Sequence, residues 1–249
     1  MKKIKETIVG ILVVLILGTL VFGVYRNAKS KTHQDLAKRI AELSPRGGPP
    51  ETIEGLKKAI ALYETQIELN VKEGAQTGTY WKILAIRLAD RGSHRDALAA
   101  LERALYYNSE DPVLFYLTGV SAGVVAKSAL GFSGNSGNEK EHYFALAESS
   151  YIRALQMDGE YPKPMYGLGI LYTFELNRPA EAIPYLEHYL RLLSSDIAGM
   201  FVLARAYYMT ENYNGAVEMY DRIITRTKDP KVKNEAENNK DIIRSQMYE

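Results

Sequence analysis

Residues 165–172 read Met-Tyr-Gly-Leu-Gly-Ile-Leu-Tyr, and residues 200–207 read Met-Phe-Val-Leu-Ala-Arg-Ala-Tyr. Both place Met165 or Met200, Leu168 or Leu203, Gly169 or Ala204, and Tyr172 or Tyr207 at the same steps. Apolar residues three and four apart make one face of a helix, whereas a strand would alternate. The two copies begin 35 residues apart. A period of that size marks a repeat architecture, in which each helical unit buries its apolar face only against its neighbours.

Two further copies lie upstream. Small residues Ala85, Gly119, Gly169 and Ala204 fall mid-way in a first helix. Ala97, Ala147, Ala182 and Ala216 open a second helix, and Leu101, Tyr151, Leu186 and Tyr220 follow four residues later. Ala104, Ala154, Tyr189 and Ile223 come three after that. The opening alanines are spaced by 50, 35 and 34 residues, so the first interval is one period plus 16. Paired helices approach closely only where one carries a small side chain, which these positions supply. Tyr189 and Ile223 depart from that rule, and packing there must loosen or shift.

These residues resemble the tetratricopeptide repeat, W-x2-L-G-x2-Y followed by A-x3-F and A. Trp81-x2-Leu84-Ala85, Met165-x2-Leu168-Gly169-x2-Tyr172 and Met200-x2-Leu203-Ala204-x2-Tyr207 carry the front half, with Phe115-x3-Gly119 in the second copy. Ala97-x3-Leu101-x2-Ala104, Ala147-x3-Tyr151-x2-Ala154 and Ala216-x3-Tyr220 carry the back half. The fold expected is all-α, an α-solenoid of tetratricopeptide helix-turn-helix repeats behind one N-terminal transmembrane helix. Four repeats are expected over residues 78–230. The 16 extra residues read as an insertion near 126–140, Gly-, Ser- and Asn-rich like a loop. It is either a tolerated surface insertion or a partner contact, since long loops in compact domains are often functional.

The ends divide by composition. Residues 1–6 are a short basic N-terminus, and residues 7–25 are 19 residues without charge between lysine- and arginine-bearing flanks. That stretch just spans a bilayer core of about 30 Å. It shows no A-x-A-like cleavage site, which favours an uncleaved anchor over a signal peptide. A single-pass membrane location is therefore expected, with the repeat domain on the extracytoplasmic side. Residues 26–50 read as a polar linker with a helix over 31–43. Residues 51–76 read as a lone leading helix of a degenerate repeat, with Ile53, Leu56, Ile60, Tyr63, Ile67 and Val71 on one stripe. Residues 231–249 read as a charged capping helix with a narrow seam of Val232, Ala236, Ile243 and Met247.

Little in the chain points to chemistry. The formal net charge is +1, which removes the electrostatic argument for nucleic acid. There is no cysteine, hence no thiolate nucleophile, thiolate metal site or disulfide. His33, His94, His142 and His188 show no metal-ligand spacing, and no G-x-S-x-G occurs. Gly131, Gly134 and Gly137 follow a helix and lack a G-x-G start, and Gly123 to Ser128 only end like a phosphate loop. No catalytic residue, metal or cofactor is expected.

The resemblance implies that first helices line a concave groove for peptides. It assigns Thr79, Lys82 and Ile86 to that groove from the first repeat, and Val113, Tyr116 and Val120 from the second. Lys163, Tyr166, Ile170 and Phe174 follow from the third, and Phe201, Arg205 and Tyr208 from the fourth. Tyr116, Tyr166, Phe174, Phe201 and Tyr208 then form an aromatic stripe flanked by Lys82, Lys163 and Arg205, the residue types that dominate interface hot spots. The expected function is a membrane-tethered scaffold that binds a protein or peptide partner in this groove. The alternative is an envelope-assembly component that packs through repeat edges without a peptide, and homo-oligomerisation stays open.

Overall fold

Prolines open several helices of this chain, because at the first helical position the missing N–H is one that lacks a partner anyway. The structure is a computed structural model that describes residues 38, 42, 52–128 and 136–247. Its elements are α1 (Ile53–Asp90), α2 (His94–Tyr107), α3 (Pro112–Ser128), α4 (Ser136–Met157), α5 (Pro162–Ile170), a π-helical turn (Leu171–Glu175), α6 (Pro179–Leu192), α7 (Ile197–Met209), α8 (Tyr213–Arg226) and α9 (Pro230–Met247). The described residues contain no strand. Two helices without an opening proline are capped by a side chain instead. Asp196 accepts from the Gly199 N–H at the start of α7, and Asn212 accepts from the Gly215 N–H at the start of α8.

The described residues divide into two units, with the boundary between Glu73 and Gly74. From α2 onward consecutive helices pair, and the first helices of successive repeats, α3, α5 and α7, lie side by side. Gly92, Asn177 and Glu211 have positive φ, of 79°, 51° and 62°, and each lies in the turn between the two helices of a repeat. The first is glycine, for which this region carries no steric cost. Glu211 holds the same turn with a side chain.

The repeats are knit by hollows and rings. A Cβ on Gly119 would lie 2.4 Å from the Tyr151 ring, and one on Gly169 would lie 2.3 Å from Leu186. Ala85, Ala97, Ala147, Ala182, Ala204 and Ala216 are all buried. One apolar cluster runs from Ala122 to Ile243 through α3–α9. A smaller one joins Ala85, Ala100, Leu101, Ala104 and Leu114. Tyr189, which replaces a small residue, is buried because Gly199 on the next first helix leaves room: a Cβ there would meet its ring at 2.6 Å. The large side chain is therefore compensated across the repeat boundary, rather than by looser packing.

The 35-residue interval also has a structural cause. Twelve residues separate Ala204 from Ala216, but thirteen separate Gly169 from Ala182. The extra residue is taken up in the π turn, where the Leu176 N–H bonds to the Leu171 carbonyl at 3.0 Å. Single-residue π bulges inside α-helices do this.

Three expectations need correction. The leading helix and the first helix of the first repeat are one continuous α1, because Gly74 and Gly78 cost a helix only about 1 kcal/mol each and no proline intervenes. Ile53, Ile60, Tyr63, Ile67 and Val71 on it are exposed. The 126–140 insertion is not simply a loop. Residues 126–128 end α3, with Ala126 fully buried, and 136–140 begin α4. These helices reach 17 and 22 residues, against 13 and 14 in the last repeat, so the extra length goes partly into helix. Residues 129–135 lie outside the described ones.

The single-pass membrane location is the third correction. No helix among the described residues is long and apolar enough to cross a membrane. Residues 7–25, on which that expectation rested, lie outside them, as does the 26–50 linker apart from Lys38 and Glu42. At the other end, α9 buries Ala236 and Ile243 in the main cluster while Ile242 is exposed.

Two substitutions probe this framework. Gly169→Leu should lower the unfolding free energy by about 1–3 kcal/mol in a denaturant titration, since Leu186 already fills the space. An unchanged midpoint would show that the hollow is not a constraint. Glu211→Gly should raise stability by about 0.5–1 kcal/mol, because glycine holds this backbone region without Cβ strain. A loss of stability would assign Glu211 another role.

Candidate functional site

The three adjacent first helices α3, α5 and α7 carry most of the residues assigned to the groove. Tyr116, Tyr166, Phe201 and Tyr208 are half-buried, while Lys163, Phe174 and Arg205 are exposed. Several rings are partly spent on packing within the domain. Tyr116 contacts Tyr151 and Tyr161, with centroids at 6.2 and 5.6 Å. Tyr166 stacks on Tyr189 at 5.2 Å, and Phe201 meets Tyr220 edge-on at 5.9 Å. Each gives one flank to a second-helix tyrosine and keeps part of its surface in solvent.

The cations divide into one that is tied down and two that are not. Lys82 is ion-paired to Asp111 at 2.7 Å, and Asp111 also accepts the Val113 N–H at the start of α3. Lys82 is thus a tie between α1 and α3. Lys163 lies over the Tyr116 ring at 5.6 Å, and Arg205 over the Tyr208 ring at 5.4 Å. Among the described residues neither is in an ion pair.

A cleft of about 190 Å³ opens between α3 and α5. Val120, Gly123, Val124 and Lys127 form one wall, and Gly167, Ile170, Leu171 and Glu175 the other; Phe144, Ala147 and Tyr151 of α4 form its floor. Tyr151 reaches the floor because Gly119 and Gly167 leave its ring uncovered on both sides, with Cβ positions at 2.4 and 2.7 Å. A Cβ on Gly123 would meet nothing within 4 Å. Lys127 and Glu175 close one end with a 2.9 Å ion pair. Sequence reading picked Val120 and Ile170 but missed the rest. The available signals were the second glycine one turn after Gly119 and the extra residue between Gly169 and Ala182.

Behind these first helices, buried and half-buried hydroxyls cross the repeat boundaries. Tyr172 donates to Glu148 at 2.8 Å, Tyr189 to Asp196 at 2.7 Å and Tyr207 to Glu187 at 2.6 Å. Burial, then the carboxylate neighbour, pushes all three phenols far up. Arg178 joins Glu148 and Glu181 beside the Tyr172 ring. Among the described residues no group of His, Asp and Glu gathers as metal ligands would.

No family model matches the chain. A TPR repeat-containing protein of Borreliella burgdorferi is 24% identical over 196 residues, covering 78% of this chain and 83% of that protein. Among solved structures, MamA 41-end from Desulfovibrio magneticus RS-1 is similar with a TM-score of 0.52 and 16% identity, covering 69% of this chain and 92% of that one. The MamA RS-1 ArsTM double mutant gives 0.50 and 18%, covering 70% and 98%. The chain therefore has a tetratricopeptide-like helical-repeat fold, and the similar proteins support the resemblance read from its repeat.

The raised tyrosines make the stability of this domain sensitive to alkaline pH. Burial first, then Tyr116, Asp111 and Asp158, push Tyr161 up from 10.0 to about 12. An unfolded chain ionises its tyrosines near pH 10. Between there and about 12 the folded state holds the proton longer, so stability falls as pH rises through that window. Denaturation midpoints should decline above about pH 10, and Tyr161→Phe should decline less steeply. Equal slopes would remove Tyr161 from the cause.

Proposed function

We propose that the repeat domain is a non-catalytic scaffold that binds a polypeptide partner across the faces of α3, α5 and α7. The observation that carries this reading is the pair of free cations. Lys163 and Arg205 each lie on a tyrosine ring of a first helix, and neither is paired with a carboxylate among the described residues. A cation held over an aromatic face is positioned without being neutralised, ready for an anionic group of a partner. Tyrosine and arginine around a partly desolvated surface are the residues that contribute most to protein interfaces. The exposed Phe174 ring, turned out by the π turn, adds apolar area to the same row.

The reading narrows the eight aromatic and cationic groove residues assigned from sequence. Lys82 belongs to the fold, and Tyr166 contributes to stability through Tyr189 as well as offering an edge to a ligand. Lys163, Phe174 and Arg205 are the positions where substitution touches binding alone.

A photo-crosslinking residue placed at Phe174 or at Arg205 in the full chain, in its native cells, should give adducts with another polypeptide. The same residue at Tyr106, exposed on the second helix α2, should not. Adding Lys163→Glu to the Phe174 probe should reduce its adducts about tenfold, as the loss of one charged hot-spot contact would. Adducts mainly at Tyr106, or adducts only with further copies of this chain, would instead favour the assembly component that packs through repeat edges.

A further inference from the structure

The cleft between α3 and α5 exists because this repeat departs from its neighbours. The others have no counterpart of Gly123, whose missing side chain leaves one wall open. The π turn places Glu175 against Lys127, and the added length of α3 carries Lys127 far enough to meet it. Tyr151 and Phe144 provide an aromatic floor.

Size selects the occupant. A cavity of about 150 Å³ lined by apolar side chains is enough for a benzene ring. Whole small ligands take clefts of about 300–1,000 Å³. At about 190 Å³ the cleft suits a single apolar side chain rather than a metabolite. Its polar rim is unequal. At the Glu175 end the cation Lys127 is already neutralised. At the opposite end, one turn before Val120 and Gly167, Lys163 lies over Tyr116 with no carboxylate paired to it among the described residues. Asp158, in the turn before α5, accepts the Glu160 N–H instead, and Asp111 is held by Lys82. The N-termini of α3 and α5 lie at this end too, and their dipoles favour an anion at Lys163, against the charges of Asp111 and Asp158.

We infer that this cleft is an anchor pocket for one apolar side chain of an acidic partner segment, with a carboxylate seated on Lys163. The inference rests on the scaffold reading and specifies its ligand. Lys163 and Ile170 are about 10 Å apart along α5, the reach of three extended residues. The segment thus carries its acidic residue about three positions from the anchor.

The test uses short fluorescein-labelled peptides in a glycine/serine frame, followed by anisotropy with the full chain. Each has a central phenylalanine or alanine, and glutamate, serine or lysine three residues to either side. The glutamate-flanked phenylalanine peptide should bind at least about tenfold tighter than its alanine counterpart or the lysine-flanked form. Gly123→Leu, which fills the cleft, and Val124→Trp, which roofs it, should each abolish that preference while melting is unchanged. Lys163→Glu should invert the order of the flanks. Equal binding of phenylalanine and alanine peptides, or wild-type binding in both cleft variants, overturns the inference. So does binding that emerges only when Leu130 and Phe132 of the insertion are changed to serine, since the occupant is then this chain itself. No binding at about 1 mM overturns it as well. If the Phe174 crosslinks persist in Gly123→Leu while the peptides fail to bind even the wild-type chain, the scaffold reading stands and only the pocket falls.

Discussion

The fold depends on missing side chains. Gly119 and Gly167 flank the Tyr151 ring, Gly169 receives Leu186, and Gly199 receives Tyr189. A methyl group at any of these points would overlap a ring or a branched chain by most of an ångström. Interiors packed near crystal density cannot absorb that without moving helices. Two of the four contacts, Gly167 with Tyr151 and Gly199 with Tyr189, cross from one repeat to the next. Stacking and pairing are therefore set by the same steric fit, and neither helix of a repeat has a finished surface until its neighbour is present.

Tyrosine suits this arrangement better than phenylalanine, and the chain has 18 of the former and 6 of the latter. Its ring fills a hollow while its hydroxyl reaches a carboxylate on the adjacent repeat, as Tyr172 reaches Glu148 and Tyr207 reaches Glu187. The hydroxyl turns a non-directional contact into one with a fixed angle. Where the ring lies nearer the surface, as at Tyr116 and Tyr208, its face carries a cation instead. One residue type thus serves the repeat boundary at depth and the candidate binding face at the rim.

The repeat was legible because its constraint is local and recurs: a small residue on one helix, a bulky one on the next, at a fixed count. What the period could not reveal was how each ring is used. Tyr166 looks identical to Tyr116 in the eight-residue pattern, yet its partner is Tyr189, which stands at a position where a small residue is usual. Lys82 and Lys163 are both cations of first helices, and only the structure shows that Asp111 occupies the former. The cleft was hidden for a related reason. It is built from departures at Gly123, at the π turn and in the lengthened helices, and a search for likeness between repeats passes over what is unlike. The break assumed before residue 78 failed because glycine weakens a helix without ending it.

The wide turn at Leu171–Glu175 has an effect on the chain beyond it. In an ordinary helix one added residue rotates everything downstream by about 100° about the axis. Here the rotation is absorbed within a single turn, and Pro179 resumes in phase, so α6 to α9 present the same faces they would in an uninterrupted array. A length change is thereby converted into a local bulge carrying one outward aromatic, Phe174. The array can change its surface chemistry at one point by insertion, while its period elsewhere keeps no record of the edit.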